Sequence, residues 1–526
     1  MRILLINPQI SWQTDTGLKL IRTRTFSDYL GIRYIASFLE EKGHHVDIID
    51  SHFEEISEEE LFKRCGADKW DMYGISFVEP IVDLAMSLGK YIKEINPEGL
   101  LLIGGYGATL CGEMLLKDFP FIDAAILGEG ELTLGEIVDK VDSGNGWHEV
   151  EGIMFLKDGI INKTPPRQLI QDIDSMPWPT RGPMEHYGGK ANIIASRGCY
   201  GVCSYCCINE FYKRTPGKKV RIRKAEKVVD EMEYLHKNFN IDHVSFVDDN
   251  FTGILKIDKT WAQTFVDEMN RRNLHMSWGI QARANDIEEE VFSLLYRGGL
   301  RIVSLGIETD IERVMKLFKT GTTREIHRKS IEILRKLNFQ LFVEMIMFEP
   351  TTTLEEIKQN INFLEEINIH DIYRQNIVST YPRLAIFRGL PLIEEYKKIA
   401  NLYDSGYRID YEFNDERVQK LYDIINKWQV LNEETISLHN GYLHYRASTL
   451  GMVGLSIEAV KLCKQYLKFD LNFIKDAVTL IMKKPQISNG DMDYFIEGYV
   501  EGVEDIKNRF LVIYEKIYAK ALSDNP

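Results

Sequence analysis

Three cysteines with metal-ligand spacing carry the strongest chemical signal in the sequence. Cys199, Cys203 and Cys206 form C-x3-C-x2-C directly after the apolar run at 192–195. Three thiolates leave one iron of a four-iron cluster open, whereas a closed structural site would need a fourth nearby Cys or His. An open iron can bind a small molecule and pass it an electron. A zinc knuckle or a buried cysteine cluster is the alternative, and the adjacent Cys207 is interpreted as structural.

Composition limits the class of protein. A chain of 526 residues predicts two or three domains, and 44% hydrophobic with 27% charged residues is typical of globular proteins. The net charge of -15 argues against a general nucleic-acid binder, although a local basic groove stays possible. The N-terminal apolar run is too short for a signal peptide or a membrane span. Apart from the triad, the cysteines are scattered, which favours a reducing, cytoplasmic location.

The first 140 residues predict a doubly wound α/β domain with a parallel sheet. Its short apolar runs alternate with helical patterns, at 3–7, 45–49, 73–77, 100–104 and 124–127. In such a sheet, ligands bind beyond the carboxyl ends of the strands. Three runs lead into glycine-rich or polar corners, where the backbone can approach a bulky ligand, although each corner alone could simply be a turn. The candidate contacts are Ser76, Gly104, Gly105, Tyr106, Thr109, Gly128, Glu129 and Glu131.

The remaining chain predicts a connector and two further domains. Proline-rich segments within 141–190 indicate an ordered connector. Six β-type runs alternate with helices in 191–410, which indicates a partial (β/α)6 barrel with its chemistry at the carboxyl ends of the strands; the runs are 192–196, 243–247, 276–281, 300–306, 341–347 and 372–380. Residues 411–526 predict a helical domain that closes the barrel mouth, docks substrate or serves as a structural cap. His439 and His444 are expected on its surface.

The cysteine motif and the barrel pattern resemble the radical SAM superfamily. The resemblance implies that the open iron chelates S-adenosylmethionine, which yields a 5'-deoxyadenosyl radical after one-electron reduction by a flavodoxin- or ferredoxin-type donor. It also implies the ligand contacts: Tyr205 on the adenine, Asp248, Asp249 and Asn250 on the ammonium, Glu308 on the ribose, and Gln281 and Arg283 on the carboxylate or the cobalamin edge. Each of these residues could instead be a solvated strand-end residue or a helix cap.

The glycine corners of residues 1–140 resemble the cobalamin-binding domain that precedes many radical SAM modules. Many such domains carry D-x-H-x-x-G after the first strand, with the histidine below the cobalt. Here the loop reads Asn7-Pro8-Gln9-Ile10-Ser11-Trp12, so base-off cobalamin without a protein imidazole is implied. His52 follows the second predicted strand without the motif's glycine, and we expect it to be an exposed residue at a helix entry.

Together, residues 1–390 resemble the cobalamin-dependent radical SAM enzymes. The resemblance implies methylation of an unactivated carbon or a phosphorus centre through the deoxyadenosyl radical and methylcobalamin, with the cofactors supplying the chemistry. The nearer alternative is a cyclase or rearrangement enzyme of the same architecture, and the farther one is a cobalamin-binding sensor or carrier. The expected substrate is a small molecule or a peptide. No catalytic acid or base is predicted beyond the cluster.

Overall fold

The computed structural model describes most of the chain. The described residues are 1–8, 28–54, 56–78, 81–183, 187, 189–369, 383–405, 407–440, 443, 447–448 and 450–524. The sixth predicted barrel run, most of the loop after the first strand, and His444 lie outside them.

The N-terminal domain is built on a seven-stranded sheet of order β2-β1-β3-β4-β5-β6-β7. Its strands are β1 Arg2–Asn7, β2 His45–Asp50, β3 Met72–Ser76, β4 Leu100–Gly104, β5 Ala124–Ile126, β6 Ile153–Lys157 and β7 Ile160–Lys163. The first five are parallel, which confirms the doubly wound prediction. The sequence did not predict the antiparallel hairpin of β6 and β7, which extends the sheet into the connector region.

Helices cover both faces of this sheet, because its central strands are apolar on both sides. They are α1 Leu30–Glu41, α2 Ser51–Glu54, α3 Glu58–Cys65, α4 Val82–Ile95, α5 Gly105–Asp118 and α6 Glu131–Asp142. Separate buried apolar clusters lie on the two faces. The carboxyl ends of β3 and β4 lead into the predicted glycine corners, which therefore meet at one edge of the sheet.

The second domain contains a five-stranded parallel sheet of order β14-β13-β12-β11-β8. The strands of this domain are β8 Lys190–Ile193, β9 Ser196–Arg197, β10 Arg221–Ile222, β11 His243–Phe246, β12 Ser277–Arg283, β13 Leu300–Glu308 and β14 Gln340–Met345. Strands β9 and β10 form a separate antiparallel pair that frames the cysteine loop. Five of the six predicted runs are therefore confirmed as strands.

The helices of the barrel alternate with these strands. They are α7 Cys207–Lys213, α8 Ala225–Phe239, α9 Gly253–Ile257, α10 Trp261–Arg271, α11 Glu289–Arg297, α12 Glu312–Phe318, α13 Arg324–Lys336 and α14 Leu354–Glu366. A capping box begins α14, where the side chains of Thr353 and Glu356 each accept a backbone N–H of the other residue.

The C-terminal region is mainly helical, as predicted. It comprises α15 Pro391–Tyr396, the hairpin β15 Leu402–Ser405 and β16 Arg408–Tyr411, and the helices α16 Glu416–Leu431, α17 Glu433–Asn440, α18 Val453–Lys483 and α19 Asn489–Asp524. Its apolar residues continue the barrel core. The prediction of a surface His439 is wrong: the side chain is buried, with its ring centroid 4.9 Å from that of Tyr466. Within the described residues, no helix has the length and apolar content to span a membrane.

Candidate functional site

A cavity of about 380 Å³ lies beyond the carboxyl ends of the N-terminal strands, where the barrel meets them. All of the predicted cobalamin contacts except Thr109 line it. The barrel contributes further lining residues that the sequence analysis did not identify, among them Arg197 and Tyr212. Arg197 lies two residues before Cys199 and closely follows the apolar run at 192–195, where a charged residue could have been noticed. Tyr212 carries no comparable signal.

Thr109 holds the wall of the cavity and is not among the described residues that line it, and its contact with cobalamin stays a prediction. Its hydroxyl accepts the Gly128 N–H at 3.1 Å and donates to the Gly105 carbonyl at 2.9 Å. These two bonds tie the second glycine corner to the third.

Glu129 and Glu131 line the cavity but are held by arginines of the barrel. Arg197 contacts Glu131 at 2.6 Å and Glu129 at 3.1 Å, and Arg221 contacts Glu129 at 2.8 Å. All four side chains are nearly buried. Burial alone would raise the pKa of Glu129, but Arg197 and Arg221 hold that pKa below its ordinary value. The Gly-Glu-Gly-Glu corner therefore fixes the N-terminal domain against the barrel, and direct cobalamin contact by either carboxylate stays a prediction.

The cavity wall suits a flat macrocycle. A Cβ added at Gly104 would meet no atom within 4 Å, so this residue presents bare backbone to the open cavity. Gly105 has φ +84°, and a Cβ there would lie 2.9 Å from the Phe77 carbonyl oxygen, so the turn itself requires glycine. Among the described residues, no histidine lines this cavity. These residues fit cobalamin bound without a protein imidazole below the cobalt.

His52 does not have the exposed position that we expected. It lies in α2 and is half-buried, because neighbouring residues of this short helix pack into the domain. Burial lowers the pKa of its imidazole, although the nearby Asp50 opposes the shift.

A second cavity, of about 160 Å³, lies at the carboxyl ends of the barrel strands. Cys199, Cys203 and Cys206 line it, whereas Cys207 does not. The described residues contain no group of three or more Cys, His, Asp or Glu side chains arranged to hold a single metal ion. Three thiols that line one cavity fit a four-iron cluster, in which each thiolate binds a different iron.

Arg283 reaches the cysteine loop from the end of β12. Its Nη1 donates to Cys203 Sγ at 3.2 Å, and its Nη2 donates to the Thr320 carbonyl at 2.5 Å. A Cβ at Gly201 would lie 2.6 Å from Nη1, so a glycine there leaves room for the guanidinium. Arg283 thus lies beside the thiols, and its contact with the S-adenosylmethionine carboxylate stays a prediction.

Tyr205 and Glu308 meet on the wall of the second cavity. Glu308 is half-buried, with φ +65° at a register shift of β13, and it accepts a hydrogen bond from the Tyr205 hydroxyl. Burial raises the pKa of Glu308 to about 7, and the neighbouring Glu344 adds to the rise. Gln281 and Asn250 line the same cavity. The predicted S-adenosylmethionine contacts are therefore brought together here, with one exception.

The exception is Asp248, whose predicted contact with S-adenosylmethionine does not match its position. It lines neither cavity, and both of its carboxylate oxygens accept the Ala195 N–H at 3.1 Å. The Ser196 hydroxyl donates to the same carboxylate. Burial raises the pKa of Asp248 to about 7. Asp248 therefore supports the strand before the cysteine loop.

Asp249 points the other way and joins the two cavities. Its Oδ2 accepts the Gly198 N–H at 2.8 Å, and its Oδ1 accepts the Tyr106 hydroxyl at 3.4 Å. Of the described residues, only Asp249 lines both cavities. None of the described residues of the C-terminal helices lines either cavity.

Comparisons with known proteins agree with this arrangement. Residues 23–138 match the B12 binding domain family, and residues 193–364 match the radical SAM superfamily. An uncharacterized methyltransferase of Pyrococcus horikoshii is 29% identical over 434 residues, covering 80% of this chain and 90% of that protein. The anaerobic magnesium-protoporphyrin IX monomethyl ester cyclase of Rubrivivax gelatinosus is 28% identical, covering 68% of this chain and 65% of that protein.

Two solved structures share the fold. The cobalamin-dependent S-adenosylmethionine radical enzyme OxsB, solved with aqua-cobalamin and S-adenosylmethionine, superposes with a TM-score of 0.72 at 16% identity, covering 100% of this chain and 80% of that one. The radical S-adenosylmethionine methyltransferase TsrM of Kitasatospora setae gives a TM-score of 0.57 at 18% identity, covering 70% and 71%. The chain thus carries a B12 binding domain and a radical SAM domain, and with its two adjoining cavities it has the fold of the cobalamin-dependent radical SAM enzymes.

Proposed function

We propose that this protein is a methyltransferase that uses cobalamin and S-adenosylmethionine to methylate an unactivated carbon or a phosphorus centre of a small molecule or peptide. The observation that carries the proposal is Asp249, because its side chain lines both cavities. A substrate atom held beside Asp249 would lie next to both the cobalamin cavity and the S-adenosylmethionine cavity. When bound, the cofactors supply radical formation and the methyl group.

The chain's own residues bind, orient and exclude water. Cys199, Cys203 and Cys206 would hold the cluster, leaving one iron for S-adenosylmethionine. Tyr205, Glu308 and the neighbouring strand-end residues would hold that ligand beside the open iron. The glycine corner at Gly104 and Gly105 would hold the corrin face against the N-terminal sheet.

We also propose where the protein works and what reduces it. Outside the cluster triad the cysteines are scattered along the sequence, and this usage favours a reducing cytoplasm. Radical formation needs one electron per event, for which a flavodoxin- or ferredoxin-type protein is the proposed donor.

A second candidate is a radical cyclisation or rearrangement without methyl transfer. The named activity of the Rubrivivax gelatinosus relative, a cyclase, supports it. The two candidates share both cofactors and differ in whether a methyl group leaves S-adenosylmethionine.

Product analysis with labelled donor separates them. Reconstituted enzyme is incubated with dithionite, trideuteromethyl-labelled S-adenosylmethionine and a metabolite extract of the source organism. Methyl transfer predicts a product carrying the trideuteromethyl group, with one S-adenosylhomocysteine and one 5'-deoxyadenosine per product. A product formed together with deoxyadenosine but without S-adenosylhomocysteine or label would overturn methyl transfer and support the cyclase.

A further inference from the structure

The outer side of the cysteine loop exposes apolar side chains that the chemistry of the cavities does not use. Val202, between the first two cluster cysteines, is 68% exposed, and Tyr200 is 38% exposed. Both belong to the loop whose inner side carries the cluster thiols. Protein interfaces commonly have an apolar centre and a polar rim, so these two side chains could form the centre of a small docking surface next to the cluster.

Three exposed lysines lie on segments that contact this loop, and we call the whole set the lysine face: Tyr200, Val202, Lys219, Lys256 and Lys319. The Lys256 ammonium lies 5.5 Å from the Tyr200 ring centroid. The Lys219 carbonyl packs against Gly198, at 2.0 Å from where a Cβ would stand. Lys319 follows Phe318, whose carbonyl accepts the Ser204 N–H at 2.9 Å.

The lysine face is positive in a chain whose net charge is -15. All three lysines are exposed. In the part of the chain that the structure describes, Lys219 and Lys319 form no ion pair, and Lys256 pairs with the buried Asp286 at 3.1 Å. The two lysines without an ion pair, Lys219 and Lys319, leave a local positive field, which steers and orients an acidic partner.

We infer that the lysine face docks an acidic electron-transfer protein of the flavodoxin or ferredoxin class. This inference rests on the proposed function, because it places the donor that radical formation requires. In the step, the reduced cofactor of the donor loses one electron and the iron-sulfur cluster behind the loop gains it, so no bond forms or breaks in either protein. Charge complementarity favours an acidic partner, and the position of the lysine face beside the cluster cysteines favours an electron donor over a second copy of this chain, which is acidic but brings no electron.

The test is the rate at which a reduced flavodoxin reduces the cluster of the reconstituted protein, followed by stopped-flow absorbance at several ionic strengths. The variant is the triple substitution Lys219→Glu, Lys256→Glu and Lys319→Glu. The matched control is Lys63→Glu, Lys90→Glu and Lys398→Glu, at positions that are at least 70% exposed and lie elsewhere on the surface. Cluster content and reduction by dithionite are measured in each protein.

We expect the lysine-face triple variant to lose about tenfold or more in the second-order rate constant at low salt and to lose most of its salt dependence. Reduction by dithionite should stay at the wild-type rate, and the control should stay within about twofold of wild type in both assays. Equal losses in the two triple variants, or an unchanged rate in the lysine-face variant, would overturn the inference. The readout needs no substrate, so a failure of the methyltransferase proposal leaves this result unaffected.

Replacement of Val202 by Asp tests the apolar centre of the lysine face separately. It should slow reduction of the cluster by flavodoxin without slowing its reduction by dithionite.

Discussion

The Tyr106 hydroxyl donates a hydrogen bond to Asp249 Oδ1 at 3.4 Å, across the boundary between the N-terminal domain and the barrel. Tyr106 is the second residue of α5, which begins in the glycine corner, and Asp249 follows β11. The other Asp249 oxygen accepts the N–H of Gly198, which precedes the first cluster cysteine. Burial raises the pKa of both side chains. One carboxylate thus connects the wall of the cobalamin cavity to the cysteine loop.

The two adjacent aspartates should differ in their effect on S-adenosylmethionine. Asp249→Asn should weaken its binding to the reconstituted protein by about 1.5–3 kcal/mol, because a hydrogen bond to a charged acceptor is weakened. Asp248→Asn should leave the affinity within about twofold, because this carboxylate lines neither cavity. Isothermal titration calorimetry of both variants tests this. Equal weakening in the two variants would contradict the assignment.

Asp248 should also make stability depend on pH. Burial raises its folded-state pKa to about 7, above the ordinary value, so the folded state holds the proton more tightly than the unfolded chain. The protonated Asp248 therefore contributes its full stabilisation below about pH 4, and this contribution is lost as the pH rises through about 7. The contribution to the free energy of unfolding is at most about 4 kcal/mol. In Asp248→Asn the side chain is an amide that does not titrate in this pH range. Urea unfolding of the apoprotein should show the variant gaining stability relative to wild type between pH 5 and pH 8, and a constant difference would contradict the shift.

Most of the fold could be predicted because its strands are short apolar runs ended by glycine or polar residues. The run at 100–104 coincides with β4, and the other described runs differ from their strands by a few residues. The hairpin of β6 and β7 was missed because two prolines follow it directly, at 165 and 166, and because half of the four residues of β7 are polar. His439 was placed on the surface from its spacing to His444, whereas packing against Tyr466 decides its burial.

The candidate site could be predicted as a set of strand ends but not as a set of contacts. Asp248 and Asp249 are adjacent and identical in chemistry, so only the three-dimensional direction of each side chain separates their roles. The arginine that holds Glu129 and Glu131 lies 66 residues or more along the chain. Residues so far apart in sequence belong to no common helix or strand pattern, so periodicity could not connect them. The ion pairs form only when the two domains pack together.

The cluster assignment predicts which cysteines are required. Cys199→Ala, Cys203→Ala and Cys206→Ala should each lose the iron-sulfur cluster and the formation of 5'-deoxyadenosine, because three thiolates are the minimum for this cluster. Cys207→Ala is the matched control and should retain both, because its side chain does not line the cluster cavity. Iron and sulfide analysis with low-temperature electron paramagnetic resonance tests this. A fully loaded Cys203→Ala protein would rule out the assignment.

Cobalamin retention should respond differently to the two glycines of one corner. Gly104 has extended backbone, φ -145°, and its Cβ would point into open space, so Gly104→Val should fold normally but bind cobalamin at least about tenfold more weakly. Gly105→Ala should also lower the thermal unfolding midpoint of the apoprotein, because φ is +84° and the Cβ meets the Phe77 carbonyl. Equilibrium dialysis with hydroxocobalamin and thermal unfolding measure the two effects. Normal cobalamin binding by Gly104→Val would place the cofactor elsewhere.

The last prediction concerns the ligand below the cobalt. The sequence has no histidine before His44, so the loop after β1 offers no imidazole, and none of the described residues lining the cavity is a histidine. Bound cobalamin reduced to the cobalt(II) form should therefore be base-off. Its electron paramagnetic resonance spectrum should lack the superhyperfine splitting that an axial nitrogen produces, and His52→Ala should leave that spectrum unchanged. Splitting that disappears in His52→Ala would identify the half-buried His52 as the ligand and would require α2 to move toward the cavity.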